Sequence, residues 1–589
     1  MKIIKFIGIL SLCVFVAACT KDEKTIGGSG ISEETWSAEN ILSADGKMHE
    51  YTFVSDGAWS ATSDSKWCRI VTESGVTGKS SLRFKTFANT DSKVRNGSIT
   101  ITVSGFSDAT IINLVQKGGV NEQGEGKYRA INEWIADSMK ETYLWNEPID
   151  GLMLDYSLDY QKFLTSILEG VAADNDVNHD DGIWKGEKRE AWYTQIQSKA
   201  PISKAVGAEY TDAGFLLLQP TTVGSGAEVP VGAAVMVVTP GTPADKAGIK
   251  RGDFITEVDD VKMTEGNYKE LVNKLYQGNV KAKVNTVSWK GSEALVTFKA
   301  NVEIGSATYT DPAIYAAKII PAENGKKIGY ILYMGFATAY DEQLIEIFAN
   351  FKKENVTDLI VDLRYNPGGE VLSSTVLNTL IAGEAHKGKI STKLVYNKAR
   401  TEAGESGEYK IGVAQNVEYP EGEGYTPIVS ALGSSLGLNT VYIITGENTA
   451  SASEIIINGL QGLDLDVRLI GQKTHGKNVG MEGFQTNMYG YNFYLYPVSF
   501  YPDNAKGFHD YPEGFTPDIA VNDANIYPGD FGTKVDLCSL QAITWIETGS
   551  MPNPSVSKRE ICRTWDTEYE RLCRRQGGAV IYPGRNALE

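Results

Sequence analysis

Basic side chains are in short supply: 56 Lys and Arg stand against 74 Asp and Glu in 589 residues, a formal net charge of −18. Nucleic-acid binding needs clustered Lys and Arg to neutralise phosphates, so this balance argues against that class. It argues equally against adhesion to anionic lipid by charge alone. Cysteine is scarce, six in all, and none stands in Cys-x-x-Cys spacing, so no metal site is expected. Histidine is scarcer still, with five. Long apolar runs are missing except for Phe6–Ala18, which follows Lys2 and Lys5 and is too short for a comfortable membrane span. What is present is ordinary for globular protein: 42% hydrophobic and 22% charged residues. The length allows three or four domains, each with a core.

The apolar run ends in Val16-Ala17-Ala18-Cys19, which resembles a bacterial lipoprotein cleavage box. Residues 1–19 then read as a signal peptide and Cys19 as the lipidated first residue. Lys21-Asp22-Glu23 resembles the export signal of Bacteroides-type surface lipoproteins, which places the chain on a bacterial outer membrane through its lipid anchor. Two or more acyl chains make such anchoring stable. Residues 20–30, with Gly27-Gly28-Ser29-Gly30, form a flexible tether. Of the remaining cysteines, Cys562 and Cys573 fall in a stretch, Ser557–Arg575, that reads as a helix. Eleven residues along a helix separate them by roughly 16 Å, so they do not bridge each other. Either has Cys538 as an available partner, and free thiols are equally compatible.

The stretch that organises the chain is Thr449-Ala450-Ser451-Ala452-Ser453-Glu454. Val441–Thr445 before it has the β-branched character of a buried strand. Ile455, Ile456, Ile457 and Leu460 after it continue as an apolar helix. Ser451 therefore sits where a strand ends and a helix begins. Outward N–H groups and the helix dipole favour negative charge there. Ser451-x-x-Glu454 is also a capping box, the structural reading of the same residues. A nucleophilic serine needs a base, and Lys477, after the strand Val467–Ile470 and a Gly471…Gly476 loop, serves if burial lowers its pKa. It also needs oxyanion donors. Asp358–Leu363 reads as a parallel strand, and Arg364–Gly369 as a loop able to present bare N–H groups.

Asp362-Leu363-Arg364-x-Asn366-x-Gly368-Gly369, then Thr449–Ile455, then Gly476-Lys477, resemble the three signatures of the C-terminal processing (tail-specific) serine peptidases. The resemblance implies Ser451 as nucleophile, Lys477 as general base, and N–H groups of Gly368 or Gly369 and of Ala452 around the oxyanion. It implies no metal or cofactor. Many members carry a Gln four residues after the lysine; here that position is Met481, and Gln485, Asn478 or Glu482 are the candidates to orient the base.

Around this core the chain reads as a multidomain protein. Residues 31–118 alternate in short strands and form a β-sandwich. Trp59, Trp67, Asn89, Arg95 and Val115-Gln116 resemble a BACON domain, which implies glycan attachment or a spacer, with the tryptophans either sugar platforms or core. Residues 119–204 hold a glycine-rich linker and two helical patterns, resembling the peptidases' helical cap. The acidic run 175–181 reads as a solvated loop. Residues 205–302 resemble a bacterial PDZ domain, whose loop at Gly214, Phe215 and Leu216 would take a peptide carboxylate while the peptide adds a strand to the sheet edge. From 303 to 550 strands and helices alternate, implying βαβ units. The resemblance implies the α/β spiral shared with Clp-type and crotonase-type proteins. Residues 551–589 are expected to be a helical tail.

Three functions fit: a Ser–Lys endopeptidase acting on proteins whose tails the PDZ domain delivers; a Ser–His hydrolase using His475 or His509; and an inactive surface binding protein for glycan or peptide.

Overall fold

The computed structural model describes residues 28–553 apart from short internal stretches, together with residues 563–564 and 580–581. It divides into two compact units. The expectations for Cys19, for the tether up to residue 27 and for Cys562 and Cys573 fall outside the described residues.

The first unit contains the expected sandwich. Ile31–Ser32, Met48–Ser55, Gly78–Thr86 and Cys68–Ile70 form one sheet. The other sheet centres on the antiparallel pair Arg95–Val103 and Thr110–Gln116. Alternate residues point inward, and Phe53, Leu82, Phe84, Ile99, Ile101, Ile112 and Leu114 close the core. Trp59 belongs to that core: its ring meets Phe53 edge-on at 5.0 Å and its Nε1 donates to Ser80 Oγ. It is therefore no sugar platform. Trp67 is half-buried with the Arg95 guanidinium 4.9 Å over its ring.

In the second unit the cap helices form as their spacing requires, Arg129–Thr142 and Tyr160–Ala172. The PDZ strands Phe215–Thr222, Val231–Val238, Asp253–Val258, Val280–Lys290 and Glu293–Ile304 pair antiparallel, with helix Tyr268–Gln277 packed on them. Thr221 and Thr222 at the outer strand also pair with Arg563 and Thr564. Those two residues are thus a strand, where a helix over Ser557–Arg575 was expected.

The main sheet orders β1 (Ile314–Pro321), β2 (Lys327–Tyr333), β3 (Asp358–Asp362), β4 (Thr440–Thr445), β5 (Asp466–Gly471) and β6 (Ile519–Ala520). All neighbours from β2 onward are parallel, and β1 is antiparallel. Helices α1 (Asp341–Lys353), α2 (Val371–Ala382) and α3 (Ala452–Gly462) lie within the crossovers; α4 (Leu537–Thr548) packs beside β4 and β5. The central strands β2, β3 and β4 are buried on both faces, which is why they read as continuous apolar runs. Two functional loops leave adjacent strands β3 and β4 at their carboxyl ends, the usual place for a site in such a sheet.

Candidate active site

Ser451 stands between β4 and α3 with φ +57° and ψ −116°, a left-handed conformation that costs a non-glycine residue about 1–3 kcal/mol. Its neighbours hold it there. Thr449 Oγ1 donates to Leu363 O at 2.8 Å, Ser453 Oγ donates to Asn366 O at 3.0 Å, and the Ala450 N–H donates to Asn366 O. The loop after β3 is thereby clamped to the serine corner. Asn366 ties that loop inward through Nδ2 to Tyr333 O, and its Oδ1 accepts the Gly368 N–H at 2.9 Å.

Glycine is required where the two loops touch. A Cβ on Gly368 would come within 2.9 Å of Ala450 O, Ala452 N and Ser451 Cβ, and the residue has φ +109°. Both glycines were candidate oxyanion donors, and the structure separates them. Gly368 spends its N–H on Asn366. Gly369 sits beside Phe336 in a parallel bridge whose hydrogen bonds run through the Phe336 and Glu370 N–H groups, which leaves its own N–H outside that pairing. The Ala452 N–H opens α3, where no preceding turn exists to accept it.

Glu454 joins the serine to the lysine. The carboxylate is wholly buried. Its Oε2 accepts the N–H of Ser451 and the N–H of Lys477, each at 2.9 Å, so the two nitrogens lie within twice that distance of each other. Its Oε1 accepts the Gly476 N–H at 2.7 Å and Thr474 Oγ1 at 2.6 Å. Burial lifts its pKa to about 7 against these four donors. The sequence shows only the local half of this arrangement, the capping box.

Lys477 is 6% exposed. Burial lowers its pKa to about 8, opposed by the charges of Asp181 and Glu454. Nζ lies 4.0 Å from Met481 Sδ and 4.8 Å from the centroid of the Tyr193 ring. The expected orienters are engaged or turned away. Gln485 is exposed. Glu482 binds the Arg400 guanidinium through both oxygens. Asn478 Nδ2 donates to His509 O.

Asp181, which ends the acidic run read as a solvated loop, is itself not solvated; residues 175–180 lie outside the described residues. It is wholly buried, accepting Tyr143 OH at 2.8 Å and the Thr194 N–H at 2.9 Å. The histidines are placed otherwise than a Ser–His site needs. His475 Nε2 meets Tyr193 OH at 3.0 Å, and its pKa is lowered by burial and by Lys477. His509 pairs with Asp503 and stacks on Tyr501. In the PDZ loop the Gly214 N–H is spent on Asp212 Oδ1, and Phe215 and Leu216 are buried in two different cores. The loop therefore does not offer Gly214 to a carboxylate in this state.

A parallel α/β core, a strained serine at a strand–helix corner and a buried lysine define a peptidase-like hydrolase fold. Comparison with known proteins names it. Residues 327–521 match the model of peptidase family S41, residues 235–290 a PDZ domain, and residues 57–117 the BACON domain, described as an N-terminal binding domain. The chain thus carries the S41 protease fold with a PDZ domain and a sheet-rich BACON domain. A chloroplastic C-terminal processing peptidase of Tetradesmus obliquus is 24% identical over 348 residues, covering 58% of this chain and 63% of that one. A carboxyl-terminal-processing protease of Picosynechococcus is 25% identical over 245 residues, covering 42% and 50%. The chain thus spans between half and two thirds of the length of these relatives. A crystal structure assigned to the S41 proteases, from Bacteroides fragilis, aligns with TM-score 0.55 and 24% identity over 71% of this chain and 97% of that one.

Proposed function

We propose that this protein is a serine endopeptidase that cleaves protein tails through Ser451 and Lys477. The observation that carries the reading is the single Glu454 oxygen that accepts the N–H groups of both residues. Ser451 Oγ attacks the scissile carbonyl as the neutral Lys477 amine, turned from Met481 Sδ, takes the hydroxyl proton. The tetrahedral oxyanion sits between the N–H groups of Gly369 and Ala452, each worth roughly 3 kcal/mol of barrier. The lysine passes its proton to the departing amine, leaving an ester on Ser451 that water hydrolyses. A fluorophosphonate probe tests this: wild type should be labelled and Ser451→Ala should not. An unlabelled wild type with no turnover of casein supports the binding-protein reading instead, which the replacement of the usual Gln by Met481 favours.

The base must be neutral to work. With a pKa of about 8 in the fold, roughly a tenth of the amine is neutral at pH 7 and about nine tenths at pH 9. kcat/KM should therefore rise about tenfold per pH unit below 8 and level off above it. A profile already level from pH 6.5 upward would point to histidine.

The PDZ domain delivers substrate by strand addition along Phe215–Thr222. The pairing of Thr221 and Thr222 with Arg563 and Thr564 of the same chain supports that reading. We propose also that Cys19 is lipidated and anchors the protein to the bacterial envelope, a reading that rests on the sequence of the first 23 residues.

A further inference from the structure

We infer that Tyr193, fixed by Asp181, is the positioning residue for the Lys477 amine in this chain, in place of the amide four residues after the lysine. The inference rests on the Ser–Lys reading above.

The amine of Lys477 is buried among groups of unusual kind. Its one hydrogen-bond acceptor among the described residues is the thioether of Met481 at 4.0 Å, a weak one. An amine with three donors and no oxygen to receive them has little to fix its direction. The face of the Tyr193 ring supplies it. The centroid is 4.8 Å from Nζ, inside the roughly 6 Å over which an aromatic face attracts a cation. The half-buried ring is part of the surroundings in which burial lowers the lysine pKa.

Tyr193 is itself held from two sides. Its hydroxyl meets His475 Nε2 at 3.0 Å, and the two rings stand edge to face at 6.2 Å. His475 in turn is anchored by its N–H on Thr449 O, two residues before the serine. On the other side, Thr194 donates its N–H to Asp181 Oδ1, and its Oγ1 accepts the Val498 N–H at 2.9 Å. Asp181 is locked through its second oxygen by the buried Tyr143 hydroxyl. The buried carboxylate thus fixes the backbone at 194 and supplies negative charge toward the lysine. The titratable groups around the amine are Asp181, Glu454, His475 and Tyr193. Asp181 and Tyr193 both precede the PDZ domain, outside residues 327–521. The base is therefore assembled from two distant parts of the chain.

The test uses the full chain, with probe labelling, steady-state cleavage of casein across pH and thermal unfolding. Tyr193→Leu removes the ring and is expected to lower kcat by about 10–100-fold with KM little changed, and to displace the pH midpoint of the rate. Tyr193→Phe keeps the ring and should lose less. The informative variant is Tyr193→Leu with Met481→Gln. The new amide oxygen can accept from the amine, so kcat should recover at least tenfold over Tyr193→Leu alone. A structural role for Tyr193 would not be rescued this way and would show as a lower unfolding temperature in both. Wild-type kcat and pH profile in Tyr193→Leu overturn the inference, as does a double variant no better than Tyr193→Leu while Met481→Gln alone stays active. In either case a labelled wild type leaves the Ser–Lys reading standing. An unlabelled wild type overturns both.

Discussion

Changing Lys477 to alanine is expected to lower kcat/KM by about 10⁴–10⁶-fold, the range between losing the orienting aspartate and losing the general base of a serine-protease triad. The hydroxyl of Ser451 is a weak nucleophile until its proton has somewhere to go. Glu454 sets the lysine backbone beside the serine, and burial brings the amine to a pKa of about 8, close to working pH. Among the described residues His475 and His509 are engaged by Tyr193 and Asp503. Lys477→Arg should be as inactive as the alanine variant, because a guanidinium stays charged at any accessible pH. Joining Ser451→Ala to Lys477→Ala should cost little more than either alone, since the two act as one unit. His475→Ala should lose about tenfold or less, through its contact with Tyr193. Casein cleavage rates at pH 8 check all four. Loss confined to His475→Ala would sink the lysine assignment and leave a Ser–His hydrolase.

The serine corner, the lysine and the glycine loop were legible because each is a short stretch at an element boundary, with residue types that serve few other purposes. The parallel sheet was legible from apolar runs alternating with helical spacing, since strands covered on both faces cannot alternate in polarity. What failed to show was anything decided by contacts between distant segments. Asp181 ends an acidic run that looks solvated; it is buried because Tyr143 and Thr194 receive it. Tyr193 reaches His475 across 282 residues of chain, and nothing in its neighbourhood marks it. Glu454 shows its capping role by spacing, but its bonds to Thr474, Gly476 and Lys477 depend on a loop arriving from beyond β5. Gln485 looked suitable by type and separation, yet it lies exposed on a different strand, Phe484–Met488, from Met481. Gly368 and Gly369 are equivalent as letters; the side chain of Asn366 distinguishes them.

Asp536→Ala should destabilise the second unit by about 3–5 kcal/mol, because it leaves two buried arginines with a single buried aspartate. Asp536 is 1% exposed and caps α4 by accepting the Ser539 N–H at 3.0 Å. Arg364 grips it with two bonds of 2.9 and 2.7 Å, and Arg251 of the PDZ domain approaches at 3.5 Å. Arg364 also binds Asp362, which accepts the Tyr330 hydroxyl. Two aspartates and two arginines thus balance one another in the interior. Removing one aspartate breaks the balance, and no water can replace it cheaply. The exposed pair Lys281–Asp260 gives the contrast: Lys281→Ala should cost under about 1 kcal/mol. Burial pushes the Asp536 carboxyl up, but the Arg364 charge and hydrogen bonds, aided by Arg251, outweigh it and hold the pKa at about 2. A depressed folded pKa gives stability that is complete above the unfolded value near 3.9 and is lost as pH falls toward 2, amounting to about 2–3 kcal/mol. The gap between wild type and variant in guanidinium unfolding should therefore be full at pH 5 to 7 and narrow below pH 4. Arg364 begins the loop that ends at Gly369, and Arg251 also donates to Gly529 O and Met236 O. The same substitution should therefore lower kcat in molecules that remain folded, by loosening the glycine loop beside Ser451 and the PDZ contact together. An unfolding midpoint and a rate both matching wild type would show that the cluster holds neither the fold nor the loop.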